Sequence, residues 1–209
     1  MDYYRFRGTA GDQIGIWTEA QAIGSPLDTY ISLLDSDGRS VLESNDDQVQ
    51  YQRSDSWLSY TLPRSGDYFI QVQAWDNPTS GGEDYRYMLK MVRDQDDPIG
   101  IIQEPGPGGV IRLAPTNLSI FASDGQSGIS YVRFFWHSSD WFNSGWTSLG
   151  KDWDGSDGWN LMVDTATLPN LYGGAIYAQI FDKAGNWFGA GIWNLHPLGY
   201  YLPIISKGR

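Results

Sequence analysis

Cysteine is absent from this 209-residue chain. That excludes disulfide staples, thiolate metal centres and a cysteine nucleophile. Export stays open, because exported proteins can do without disulfides. Histidine is scarce, with two residues, and methionine counts four. No run of about 18 apolar residues occurs, so no membrane-spanning helix is expected. No secretory leader pattern opens the chain, because Met1 runs at once into Asp2 and a strand-like segment. Met1 is therefore read as a start inside a longer parent chain. Positive charge is also in short supply, with 14 Lys and Arg against 25 Asp and Glu, a net of −11. Such a surface repels phosphate backbones, which argues against nucleic acid as a partner. It suits cations, calcium first, or serves as an acidic solvated face.

What the chain has is turn formers and aromatics: 25 glycines, 10 tryptophans and 13 tyrosines. Rings pack well on pleated surfaces, and glycine supplies the positive φ of tight turns. The acid is uneven. Residues 1–97 hold 8 Lys and Arg against 17 Asp and Glu, a net of −9, while residues 98–209 hold 6 against 8, a net of −2.

The first half alternates with period two. Strands are predicted around Tyr4–Arg7, Gln13–Thr18, Asp28–Asp35, Ser40–Glu43, Trp57–Leu62, Asp67–Ala74 and Tyr85–Val92. Asp37-Gly38 between two apolar runs predicts a hairpin turn. Residues 93–98 are charged and end at Pro98, which marks a boundary. Gly100 to Gly109 is read as a linker or the irregular lead-in to a second domain. Further strands are predicted at 118–122, 129–136, 159–163, 175–181 and 187–193, with Asp182–Asn186 as a tight turn. The tail from Tyr200 is apolar but too short to span a membrane; an edge strand and a sorting element are both open. The fold class is all-β: two consecutive antiparallel β-sandwiches over 1–95 and 96–199, with a tail at 200–209.

Several features in the first half carry a resemblance. They are Asp2-Tyr3-Tyr4-x-Phe6, Gly11-Asp12, Leu27-Asp28-Thr29, Leu33 to Gly38, Asn45-Asp46-Asp47 and Ser65 to Val72. In this order they resemble the bacterial pre-peptidase C-terminal domain, a jelly-roll sandwich of secreted peptidases. The resemblance implies calcium in some members, held by an aspartate at the position of Asp2 and an acidic segment ahead of the domain. The sequence as given opens without that segment, so a site built partly on it is expected to be incomplete here. Residues 98–197 resemble bacterial immunoglobulin-like domains, on Ala122-Ser123-Asp124 with Ser127-Gly128-Ile129, Trp146 with Leu149-Gly150, Asp157-Gly158-Trp159 and Asp182 to Asn186.

Calcium needs six to eight oxygens. If residues 32–35 pair with 40–43, the Asp35–Gly38 turn and the Asn45–Asp47 loop lie at opposite ends of that hairpin. Asp28 would lie near the loop, which gives a candidate site of Asp28, Asp46 and Asp47, with Asp2 as a further ligand. The alternative is that each aspartate caps its own turn. Asp152-x-Asp154-Gly155-x-Asp157-Gly158 departs from the helix–loop–helix calcium loop and is read as a hairpin turn.

Catalytic signals are thin. His137, Ser138 and Asp140 are adjacent, but a triad draws its members from separate elements. Gly-x-Ser-x-Gly and His-Glu-x-x-His are absent. Seven of the ten tryptophans fall in the second half. Trp141, Trp146 and Trp153 sit where loops are expected, as candidates to stack on sugars or hold an apolar protein patch; the alternative is an aromatic-rich core. The expected role is a non-enzymatic accessory module, exported with a parent catalytic domain and facing a protein or polysaccharide surface. A carbohydrate-binding module is the second reading and a hydrolase the third.

Overall fold

In strand Gly66–Ala74 every second side chain is buried, namely Tyr68, Ile70, Val72 and Ala74. That is the mark of a strand with one face on a core. The computed structural model of the chain describes residues 1–48, 55–76 and 81–198. The predicted tail at 200–209 lies outside the described residues, as do parts of the 44–56 and 76–84 loops.

The chain divides into two units. The first joins Met1–Pro98 with Asp124–Ser130 and Phe181–Trp187; the second holds Ile99–Ser123, Tyr131–Ile180 and the segment from Phe188. In the first unit lie β1 (Asp2–Gly8), β2 (Gln13–Glu19), β3 (Thr29–Leu34), β4 (Val41–Asn45), β5 (Trp57–Thr61), β6 (Gly66–Ala74) and β7 (Met88–Arg93). They form two antiparallel sheets, β1-β6-β3-β4 and β5-β2-β7. Ile14, Ile16 and Leu58 from one sheet meet Ile31, Leu33, Tyr68, Ile70 and Val72 from the other. Each such burial is worth about 1.5–3 kcal/mol, and it fixes register, because a one-residue slip would turn these side chains to water. The β3–β4 hairpin closes on the predicted turn: Gly38 adopts φ 66° and its amide donates to Asp35 O at 2.8 Å.

The second sandwich is built from β8 (Ile99–Glu104), β9 (Val110–Arg112), β10 (Pro115–Ser123), β11 (Ile129–His137), β12 (Thr147–Asp152), β13 (Trp159–Asp164), β14 (Ala175–Asp182), β15 (Trp187–Trp193) and β16 (His196–Leu198). The sheets run β13-β10-β8 and β12-β11-β14-β15, with a parallel β16–β9 pair. Leu118, Ile120, Val132, Phe134, Trp136, Ile176 and Ile180 are buried.

Two sequence expectations change. Residues 99–104 are not a linker: they form β8, paired with β10, with Ile102 opposite Ile120. The glycine- and proline-rich composition that suggested a linker belongs to the bend after Glu104. The Asp152–Gly158 segment is not a hairpin turn, because β12 and β13 belong to different sheets. It crosses through a short 3-10 turn at Gly155–Asp157. Its aspartates cap backbone: Asp152 accepts from the amides of Asp154 (2.9 Å) and Asn160 (2.8 Å), and Asp154 from that of Ser156. Turn capping satisfies the carboxylates locally, as that composition allows.

Candidate functional site

Three regions concentrate polar or aromatic side chains. The first surrounds Asp28. Thr18, Thr29 and Ser56 are buried and joined by their hydroxyls: Thr18 Oγ1 to Thr29 Oγ1 at 2.7 Å, and Thr29 Oγ1 to Ser56 Oγ at 2.9 Å. The Ser56 hydroxyl lies 2.6 Å from Thr29 O and 2.8 Å from Asp46 O. The network ties the Asp46 loop to the start of β3, immediately after Asp28. Burial, then the charges of Asp47, Asp46 and Asp76, pushes the Asp28 carboxyl above the usual carboxylate range. Asp28 Oδ1 and Asn45 Oδ1 are both buried with no hydrogen-bond partner. Buried polar atoms are ordinarily satisfied.

Asp2 stands apart from that group. Asn45 pairs with Ile31, Ile31 with Val72, and Val72 with Asp2. Three strand spacings separate the ends of this row, about 14 Å. Asp2 instead accepts a hydrogen bond from Tyr87 OH at 2.7 Å. Asp35 and Asp37 serve the opposite hairpin end. Asp37 accepts from the Ser40 hydroxyl, then the Ser40 and Arg39 amides, and is held down to about 2.

The second region was invisible in the sequence. Asp94, Asp124 and Asp182 each bring a ligating oxygen within 4.8 Å of the others. Asp94 and Asp182 are buried. Asp94 accepts from the amides of Asp96 and Ser127, and Asp182 from the amide and side-chain nitrogen of Asn186. Burial, with the Asp94 charge beside it, raises the Asp182 carboxyl. Burial also pushes Asp124 up, but the amides of Gly128, Ser127 and Gln126 outweigh it and leave the group low. These residues come from three separate segments, Asp94 just after β7, Asp124 just after β10 and Asp182 at the end of β14, and no local pattern unites them.

The third region covers the outer face of the β12-β11-β14-β15 sheet in the second unit. On β11, Val132, Phe134 and Trp136 face inward and Tyr131, Arg133, Phe135 and His137 outward. Trp141 stacks on the His137 ring at 4.0 Å and 13°. Trp146 meets His137 edge-on at 5.1 Å, and Trp193 lies 5.6 Å from Trp141 and 5.7 Å from Trp146. Tyr177 links Trp146 to Phe135. Trp141, Trp146 and Trp193 remain 43%, 42% and 51% exposed. Gly189 makes room for this packing, since a Cβ there would fall 1.9 Å from the Tyr177 hydroxyl.

Trp141 and Trp146 are thus brought together, whereas Trp153 sits elsewhere on the face, 4.4 Å from Tyr131 with the Lys151 amine 4.8 Å over its ring. Trp193, Tyr177 and His137 join the cluster through tertiary packing. His137 is enclosed by rings and donates from Nδ1 to Ser138 O at 2.7 Å. The Asp140 carboxylate accepts from Asn143 instead. The adjacent His137, Ser138 and Asp140 do not assemble a proton relay with one another.

Residues 1–74 match the family model of the bacterial pre-peptidase C-terminal domain. That pre-peptidase C-terminal match runs from β1 to the end of β6, and β7 pairs with β2 beyond it. Over 75 residues, 35% of its length, the chain is 35% identical to a probable subtilase-type serine protease of Deinococcus radiodurans. The chain spans 10% of that protein. No helix among the described residues is long and apolar enough to cross a membrane.

Proposed function

We propose that this chain is a non-catalytic accessory segment of an exported bacterial peptidase. The observation that carries the reading is the size of the match: the pre-peptidase C-terminal domain corresponds to a small fraction of a much larger serine protease. A segment of that kind positions, stabilises or targets its catalytic neighbour. The second unit, with its three- and four-stranded sheets, is read as an immunoglobulin-like sandwich presenting a protein- or polysaccharide-binding face. Assayed alone on casein and on peptide and ester panels, the chain is expected to show no turnover. Turnover abolished by His137→Ala would overturn the non-catalytic reading.

Calcium is proposed for the first unit at Asp28, Asp46 and Asp47. Support comes from the two orphaned buried oxygens, Asp28 Oδ1 and Asn45 Oδ1, and from the carboxylates whose charges act on Asp28. A cation there would supply the missing positive charge and take oxygens of the kind calcium prefers. Asp2 is left out of this set by its place across the sheet. A ligand that binds only the native state stabilises by about 2.7 kcal/mol at a hundredfold excess over its dissociation constant. The chain is therefore expected to melt higher in millimolar calcium than in chelator, and Asp28→Asn or Asp46→Asn to remove the difference. Equal melting in both would reject the site.

A further inference from the structure

The outer face of the β12-β11-β14-β15 sheet joins two features that its neighbours do not use up. One is the exposed aromatic strip. The other is a pair of unmatched cations. Arg133 and Lys151 stand directly opposite each other across the β11–β12 ladder. Like charges so placed destabilise a sheet. None of the ion pairs found among the described residues involves either one. Arg133 Nε is buried with no hydrogen-bond acceptor, and its guanidinium lies 5.0 Å over the Phe135 ring. The Lys151 amine sits over both Tyr131 and Trp153, and burial, then Arg133, lowers its proton affinity. In a chain of net charge −11, the outward positions of β11 hold Tyr131, Arg133, Phe135 and His137, and no acid.

We propose that this face binds an acidic polysaccharide, with tryptophan rings stacked on sugar faces and Arg133 and Lys151 receiving a carboxylate or sulfate. It names the ligand class for the binding face proposed above and rests on that reading, but not on the calcium site. The rings run beside β11 from Tyr131 to His137, about 20 Å at ~3.4 Å per residue, so several sugar units can lie along the strip. Flat rings with one face open offer the apolar surface that a sugar's C–H face covers. Arg133 and Lys151, between Tyr131 and Phe135 along the strip, add charge complementarity, and an anionic group of the ligand supplies the missing acceptor for Nε. A nucleic acid also combines rings and charge, but single strands are held by a groove of cations that follows the backbone, whereas the strands of this sheet carry only Arg133 and Lys151.

The test is intrinsic tryptophan fluorescence of the full chain, titrated with oligogalacturonate, sulfated dextran, a neutral cello-oligosaccharide of similar length and oligo(dT). Saturable quenching is expected with the uronate or the sulfated glycan, and the better of the two identifies the anionic group. A charged hydrogen bond is worth enough that Arg133→Gln should weaken this binding ~10-fold or more. Neutral-sugar binding should be unchanged by that substitution. Trp193→Ala should weaken both. Lys151→Gln, at a partly exposed position, gives a second charge variant should Arg133→Gln fail to fold. Tight binding of the neutral sugar, insensitive to Arg133→Gln, would overturn the acidic assignment and leave a glycan-binding face. Preference for oligo(dT) would overturn the ligand class. No response to any probe would overturn the inference while leaving the peptidase-accessory reading intact.

Discussion

Ser56→Ala tests whether the loop bearing Asp46 is held by buried hydroxyls. Ser56 is 1% exposed. Its hydroxyl has one proton, within reach of both Thr29 O and Asp46 O, and accepts from its Thr29 neighbour. Alanine fits the space, so no steric cost enters. The loss is one net hydrogen bond, about 1 kcal/mol, and a stranded buried polar group, about 1–3 kcal/mol. A total of about 2–4 kcal/mol is expected. Urea unfolding followed by fluorescence measures it. Val41→Thr, at an exposed position of β4, should change stability by less than about 0.5 kcal/mol. Thr29→Val removes the neighbouring hydroxyl, and the double variant should lose less than the two single losses combined, because the residues share one network. The calcium-dependent part of the melt should shrink in Ser56→Ala as well, since the Asp46 backbone loses its tether. A stability loss under about 0.5 kcal/mol, with strict additivity to Thr29→Val, would refute the reasoning.

Gly15→Ala would place a methyl 1.8 Å from Lys183 O, displacing the turn that accepts hydrogen bonds from Trp57 Nε1 and Gln13 Nε2. An overpacking loss of about 1–3 kcal/mol is expected by urea unfolding, and an unchanged midpoint would contradict it. The Asp182 carboxyl is raised in the folded state, so the fold binds its proton more tightly than the unfolded chain and its charge is a cost at neutral pH. That cost is relieved as pH falls through the raised value toward 3.8. The stability difference between wild type and Asp182→Asn should therefore shift toward wild type on acidification from pH 7, and a pH-independent difference would count against it. Asp37 is the opposite case. Its value is depressed to about 2, so its contribution is present above about pH 4 and is lost as pH falls through about 2. Asp37→Asn should lose the acid limb of the melting profile over that window, and an unchanged limb would refute the assignment.

The strands and the class of fold follow from local residue patterns. Period-two runs such as Tyr68-Phe69-Ile70-Gln71-Val72 bury alternate residues wherever one sheet face meets a core, and Asp37-Gly38 makes its turn from local chemistry alone. The matched domain was readable for the same reason, because its features are short, local and ordered along the chain. Errors came where composition stood in for pairing: Ile99–Glu104 was hidden beside a glycine- and proline-rich bend, and Asp152–Gly158 has hairpin chemistry while crossing between sheets. Tertiary pairing alone assembles Asp94 with Asp124 and Asp182, sets Asp2 three strand spacings from Asn45, parts Trp153 from Trp141 and Trp146, and sets Arg133 against Lys151. Each of these depends on which strands become neighbours, and strand pairing between distant segments is set by the burial of the whole core rather than by any window of residues.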